Sequence, residues 1–117
     1  MVLDEPLSFW GGFDPATGRI TDPRHPQRGA VLTGRILVMP SGRGSSSSST
    51  VLAEAVRIGT APGAIILYEA DPIVVLGAVV AHELYGRTVP VAVVERGRVT
   101  DGVTLEIEGD RLFVFPD

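Results

Sequence analysis

Residues 40–50 read PSGRGSSSSST, in which one arginine lies between two glycines and a run of five consecutive serines follows. Such a segment suits a flexible linker, an anion-binding loop, or a turn in which one serine hydroxyl removes a proton. It is too short to separate domains, and it joins an apolar run directly to a helical pattern. In a parallel sheet this junction lies at the carboxyl edge of the strands, where open α/β folds bind ligands. Position alone therefore favours binding or catalysis over simple helix capping.

The known phosphate-binding motifs fit this segment poorly. Gly42 and Gly44 begin a dinucleotide fingerprint, but Ser47 occupies the position of the third glycine. A Walker loop needs a lysine, which the chain lacks, and the second glycine of a nucleophile elbow is also absent. The segment therefore offers only general features for binding an anion: glycine backbone N–H groups, a helix N-terminus and Arg43.

A serine acting as a base makes a sharper hypothesis. Its hydroxyl is very weakly acidic, so its alkoxide must be stabilised by backbone donors, a helix N-terminus or a cation. The sequence supplies all three around Ser45. Gly42 and Gly44 would permit the positive φ of a tight turn, and the serines 46–49 are candidates for the helix cap.

The elements that position this segment can be predicted from apolar spacing. Strands are expected near 34–39, 64–68 and 89–94, and helices near 47–58 and 73–85. Gly59 suits the end of the first helix, and Asp71 followed by Pro72 suits the start of the second. This alternation is typical of parallel crossover units.

The two ends of the chain are expected to add shorter β segments. Short strands fit around Leu7–Trp10 and Arg19–Thr21, and residues 103–106 and 111–115 suggest a hairpin. The predicted fold is therefore α/β: one domain over residues 1–117, with a mainly parallel central sheet, flanking helices and β appendages.

Composition excludes several classes of function. The chain has 117 residues, 44% of them apolar, and a mean hydropathy of +0.27, which is too apolar for a disordered chain. Its net charge is −4, and its ten basic residues are scattered arginines, so no nucleic-acid partner is expected. No membrane-spanning run or signal peptide is visible, so a cytoplasmic location is expected.

No metal site is expected in this chain. It contains no cysteine, so it cannot supply thiolates to zinc or to an iron–sulfur cluster. His25 and His82 are not accompanied by clustered ligands, and structural roles are expected for both. Trp10 and Phe13 suit a core or an interface, and we expect them near the serine loop together with Arg43.

Three motifs together resemble a known family. PLSFWGGFDPATGRITDP, GRILVMPSGRGS and APGAIILYEADPIVVLGAVVAHELYG, in this order, resemble the small-subunit or swivel domain of aconitase X-type dehydratases over about residues 6–95. The resemblance implies a swivelling β/β/α domain that docks on a large subunit bearing an iron–sulfur cluster. The family includes the archaeal phosphomevalonate dehydratase and the bacterial cis-3-hydroxy-L-proline dehydratase.

The resemblance also implies roles for individual residues. In that family the serine directly after a Gly-(Lys/Arg)-Gly turn is taken as the proton acceptor, which here is Ser45. Gly42, Arg43, Gly44 and Ser46 would then bind the hydroxy acid substrate. The unbroken serine run resembles the bacterial branch and favours a hydroxyproline-type substrate over (R)-5-phosphomevalonate.

Two alternatives from other classes stay open at this point. The same Gly-Arg-Gly-Ser loop could serve a non-catalytic anion-binding or interaction module. In a purely structural domain the serines would only cap the helix.

Overall fold

A computed structural model describes residues 1–43 and 46–96, together with the backbone of 104–108 and 111–115. Its central sheet is parallel, and two helices connect its strands. In chain order the elements are α1 (Phe9–Gly12), β1 (Phe13–Asp14), β2 (Arg19–Ile20), β3 (Ile36–Met39), α2 (Ser48–Ile58), β4 (Ala64–Leu67), α3 (Pro72–Tyr85), β5 (Val91–Val93), β6 (Thr104–Glu108) and β7 (Arg111–Phe115).

The central sheet has the strand order β3-β4-β5, and both pairs are parallel. The register places Met39 opposite Leu67, so β3 and β4 end at the same level. The first residues of the chain extend the sheet beside β3: Val2 forms a parallel bridge with Val38, and the Leu3 amide donates to the Val38 carbonyl at 2.7 Å.

The two faces of this sheet bury different clusters. Side chains of β3 and β4 alternate between the faces, as the two-residue period of a strand requires. On one face they pack with α2, α3 and the N-terminal segment in the main core, which includes Leu7, Phe9, Phe13, Leu32, Leu37, Met39, Leu52, Val56, Ile65, Leu67, Val74 and Ala81. On the other face Val38 and Ile66 form a smaller cluster with Val2 and Tyr68.

Local signals account for the helix ends. α2 ends at Gly59, whose φ of 88° is a left-handed conformation that glycine adopts without steric cost. α3 begins with Pro72 at its first position, and the Asp71 side chain accepts hydrogen bonds from the amides of Ile73 and Val74. The predicted end of α2 and the predicted start of α3 are therefore confirmed.

A glycine permits the close contact between α2 and α3. A Cβ atom on Gly77 would lie 3.0 Å from Leu52 Cδ2 and 3.0 Å from the Ser49 carbonyl oxygen. Only a residue without a side chain lets the two helices approach to this distance. Gly77 thus has a packing role that outweighs its poor helix propensity.

The predicted architecture is confirmed, with shorter strands than expected for β3 and β5. The predicted C-terminal hairpin is present as β6 and β7, which pair antiparallel. The predicted strand at Arg19–Thr21 corresponds to β2, which pairs with β1 through Phe13 and Ile20.

The short strand expected at Leu7–Trp10 was wrong, because Leu7 makes only an isolated bridge and Phe9–Gly12 forms a short turn with non-helical dihedral angles at Trp10 and Gly11. Its backbone is bonded locally and to α2 rather than to a strand: the Ser8 hydroxyl donates to the Trp10 carbonyl at 2.8 Å, and the Trp10 amide donates to Ser48 Oγ at 3.2 Å. Within the described part of the chain, no helix has both the length and the apolarity to cross a bilayer.

Replacing Gly77 with alanine tests the α2–α3 contact. Alanine gains about 1 kcal/mol of helix propensity, but overpacking at 3.0 Å costs about 1–3 kcal/mol. We therefore expect Gly77→Ala to lower the free energy of unfolding by about 1 kcal/mol in urea titrations. Val79→Ala, at a half-exposed position of the same helix, should change it by less than about 0.5 kcal/mol. A Gly77→Ala variant more stable than the wild type would contradict the packing role.

Candidate functional site

The carboxyl ends of β3 and β4 bring two strand-to-helix turns together. β3 leads into the turn at Ser41–Arg43, and β4 leads into residues 68–71 before α3. The Pro40 carbonyl accepts hydrogen bonds from the amides of Tyr68 and Glu69, both at 3.1 Å. The turn that carries the candidate site residues is thus bonded directly to the neighbouring turn.

The turn at Gly42 lies between the N-terminal segment and Asp71. Leu7 forms a parallel bridge with Gly42, and the Arg43 amide donates to the Leu7 carbonyl at 3.1 Å. On the other side, a Cβ atom on Gly42 would lie 2.4 Å from Asp71 Oδ2 and 3.1 Å from Val74 Cγ2. Gly42 does not adopt the positive φ that a glycine would permit. Glycine is required here because a carboxylate lies directly against the backbone.

Arg43 offers a cation beside this turn. Its Nη2 lies 3.8 Å from Glu5 Oε1, and both side chains are about half exposed, at 53% and 50%. An exposed pair at this distance contributes about 0–1 kcal/mol. Arg43 can therefore exchange Glu5 for the carboxylate of a ligand at little cost.

A small depression lies where these groups meet. Its volume is ≈10 Å³, roughly the space that one water molecule needs. Its polar groups come from Arg43, Ser48 and Asp71, and its apolar wall comes from Leu7, Phe9, Ile73 and Val74. As lined by the described residues, the depression is too small to enclose a substrate.

The described serines have different environments. Ser48 is buried, accepts a hydrogen bond from the Trp10 amide at 3.2 Å and lies 3.5 Å from Ser8 Oγ. It therefore connects α1 to α2. Ser49 donates to the Ser46 carbonyl at 2.8 Å. Ser47, one of the four serines considered as caps, occupies the N-cap position of α2, although its side chain makes no capping bond there.

The structure brings some of the predicted site residues together. Gly42 and Arg43 line the depression, and Ser46 is exposed just before α2. Gly44 and Ser45 lie outside the described residues, so their roles stay predictions.

Trp10 and Phe13 differ in their relation to this site. The Trp10 amide bonds to Ser48 in the depression wall, and its side chain is 58% exposed. Phe13 is buried and packs edge-on against Phe9 with 5.3 Å between ring centroids. Phe13 therefore belongs to the core, one of the two roles expected for it, and it lies behind Phe9, which forms part of the depression wall.

Sequence reasoning missed Asp71 as a member of the site. It predicted this residue only as a helix cap, whereas the carboxylate also lines the depression. The available signal was topological: neighbouring parallel strands place their following turns side by side.

The histidines have structural contacts. His25 is buried; its Nδ1 accepts from the Gln27 amide at 3.0 Å, and its Nε2 lies 3.2 Å from the Glu5 carbonyl. His82 Nδ1 lies 3.2 Å from Thr88 Oγ1. Among the residues that the structure describes, no three acidic or histidine side chains converge as metal ligands would.

Comparisons with known proteins found one matching family and several similar sequences. Residues 1–114 match the family model described as the aconitase X swivel domain. The cis-3-hydroxy-L-proline dehydratase of Pseudomonas aeruginosa is 52% identical over 86 residues, which are 74% of this chain and 15% of that protein. The phosphomevalonate dehydratase small subunit of Methanopyrus kandleri is 52% identical over 79 residues, which are 68% of this chain and 58% of that protein.

A solved structure shows the same fold. The crystal structure of Thermococcus kodakaraensis aconitase X in its holo-form superposes with a TM-score of 0.80 at 37% identity, covering 90% of this chain and 76% of that chain. The chain thus spans only 15% and 58% of the lengths of the two relatives compared above.

Replacing single serines separates a structural serine from the others. Ser48→Ala leaves the partly buried Trp10 amide without its acceptor, and losing such a hydrogen bond costs about 0.5–1.5 kcal/mol. We expect a fall of this size in the free energy of unfolding, measured in urea. Ser49→Ala removes only a local bond to a backbone carbonyl, so it should cost less than about 0.5 kcal/mol. Equal stabilities of the two variants would refute the role of Ser48 in joining α1 to α2.

Proposed function

This chain belongs to the aconitase X swivel-domain family, and we propose that it acts as the small-subunit part of a hydro-lyase that dehydrates a β-hydroxy acid. One observation carries the proposal. The turn at Gly42–Arg43 opens into a depression of ≈10 Å³, which is too small to hold a substrate until another surface closes over it.

The reaction divides naturally between two subunits. Dehydration removes a proton from the carbon next to the carboxylate, and the electron pair of that C–H bond forms the C=C bond. The C–O bond to the hydroxyl breaks, and the hydroxyl takes up a proton and leaves as water, so the net loss is one water molecule. The first step needs a base and the last a Lewis acid. We assign the base to this chain. Because the chain has no cysteine, we assign to the large subunit the iron–sulfur cluster that would supply the Lewis acid.

Ser45 is the proposed base. It directly follows the Gly42-Arg43-Gly44 sequence, and Arg43 stands beside the depression with only a weak carboxylate partner. Arg43 would bind the substrate carboxylate, while Gly44 and Ser46 would offer backbone donors. The helix α2 that follows adds the partial positive charge of its N-terminus, which favours an alkoxide.

Two substrates are proposed, cis-3-hydroxy-L-proline and (R)-5-phosphomevalonate. Relatives named for these two activities are each 52% identical over their aligned regions, so identity does not separate them. The unbroken serine run favours the hydroxyproline-type substrate.

The outer side of α3 supports docking on a large subunit. Val75, Leu76, Val79 and Leu84 are 43–67% exposed, although a helix that is apolar on every side is typically buried. α3 begins at the depression, where Ile73 and Val74 form part of the wall. A partner that closes the depression would therefore extend over the adjoining apolar surface of α3.

Ser45→Ala tests the assigned base. In the assembled enzyme we expect kcat to fall by roughly 10²–10⁴-fold, the usual effect of losing a general base. Folding and subunit association should be retained, because a hydroxyl at a turn contributes at most about 1–2 kcal/mol. Ser49→Ala, four residues later, should lose far less activity. Wild-type kcat for Ser45→Ala, with the partner bound and its cluster intact, would remove Ser45 from the mechanism and favour the non-catalytic alternatives.

Charged substitutions on α3 test the docking surface. Leu76→Asp and Val79→Asp each place a carboxylate on a surface that is already half exposed, so this chain alone should keep its fold. Burying that charge against a partner is costly, so we expect at least about a tenfold weaker association in calorimetric titrations with the large subunit. Ala16→Asp, on the exposed turn between β1 and β2, is the charge-matched control. Unchanged affinity for both α3 variants would place the interface elsewhere.

A further inference from the structure

We propose that Asp71 is a positioning residue for the site, whose carboxylate holds the Gly42–Arg43 turn in place while it caps α3. The structural part of this inference stands on the described contacts alone. Its consequence for activity rests on the proposed function.

The two carboxylate oxygens of Asp71 have different contacts. Oδ1 accepts from the Ile73 amide at 3.0 Å and from the Val74 amide at 3.3 Å, which satisfies the first free donors of α3. Oδ2 lies against Gly42, where a Cβ atom would approach it to 2.4 Å. Capping therefore uses one oxygen, and the other forms one side of the turn.

The opposite side of the turn is fixed by the N-terminal segment. The bridge between Leu7 and Gly42 and the bond from the Arg43 amide to the Leu7 carbonyl hold the backbone there. With Asp71 on one side and Leu7 on the other, the turn has little freedom to shift. Removing Oδ2 opens space toward α3, and Arg43 is then no longer held where a ligand carboxylate would meet it.

Asp71→Ser separates capping from positioning. Serine caps helices about as well as aspartate but is shorter, so it keeps the cap and removes the oxygen that contacts Gly42. In the complex with the large subunit we expect kcat/KM to fall about 10- to 100-fold, as small misplacements of positioning groups do, with KM raised. Asp71→Asn has the same shape and should stay within about threefold of wild type, because the proposed role is steric. If Asp71→Ser keeps the kcat/KM and the KM of the wild type, Asp71 acts only as a helix cap and the positioning role is refuted.

A second measurement needs no activity. Gly42→Ala is made in the wild type and in Asp71→Ser, and the urea midpoint of each variant is compared with that of its own parent. We expect a large drop in the wild type and a clearly smaller one in Asp71→Ser, because the 2.4 Å contact is then gone. What is left is the 3.1 Å approach to Val74 Cγ2 and an ordinary contact where Asp71 Cγ now lies at 3.4 Å. Equal drops would overturn the inference. If no substrate is turned over by any variant, the proposed function fails, and this comparison still decides the role of Asp71.

Discussion

The parallel pairing of β3 with β4 is the constraint on which the candidate site depends. The register that sets Met39 opposite Leu67 makes both strands end together. Their following turns are then bonded through the Pro40 carbonyl, and the start of α3 comes to lie against the turn at Gly42. A slip of one residue would reverse which side chains face α2 and α3, so burial of the core fixes the geometry of the site.

Two glycines permit the close contacts on which this arrangement of turns and helices depends. Gly42 admits the Asp71 carboxylate to the backbone of the turn, and Gly77 admits α2 to the surface of α3. At both positions the missing Cβ has a packing function rather than a conformational one. The site and the helix pair are therefore positioned by direct backbone contact, which leaves little room for adjustment.

Sequence patterns predicted the parts of the fold whose signals are local. Apolar runs marked β3 and β4, and Asp71 with Pro72 marked the start of α3. The turn at Phe9–Gly12 was not predicted, because its backbone is bonded to Ser48, 38 residues away in the sequence. The roles of Gly42 and Asp71 were not predicted for the same reason: each depends on a contact with the other, and α2 and β4 separate the two residues in the sequence. The order of the three motifs predicted the family. The contacts of each site residue could be identified only from the folded structure.

Joint expression of this chain with the proposed large subunit tests the central claim most directly. Dehydration of cis-3-hydroxy-L-proline and of (R)-5-phosphomevalonate would be assayed for the purified complex and for each subunit alone. We predict that the complex dehydrates one of the two substrates and that this chain alone dehydrates neither. A stable complex with an intact cluster and no dehydration of either substrate would contradict the proposed function, as would full activity of the large subunit without this chain.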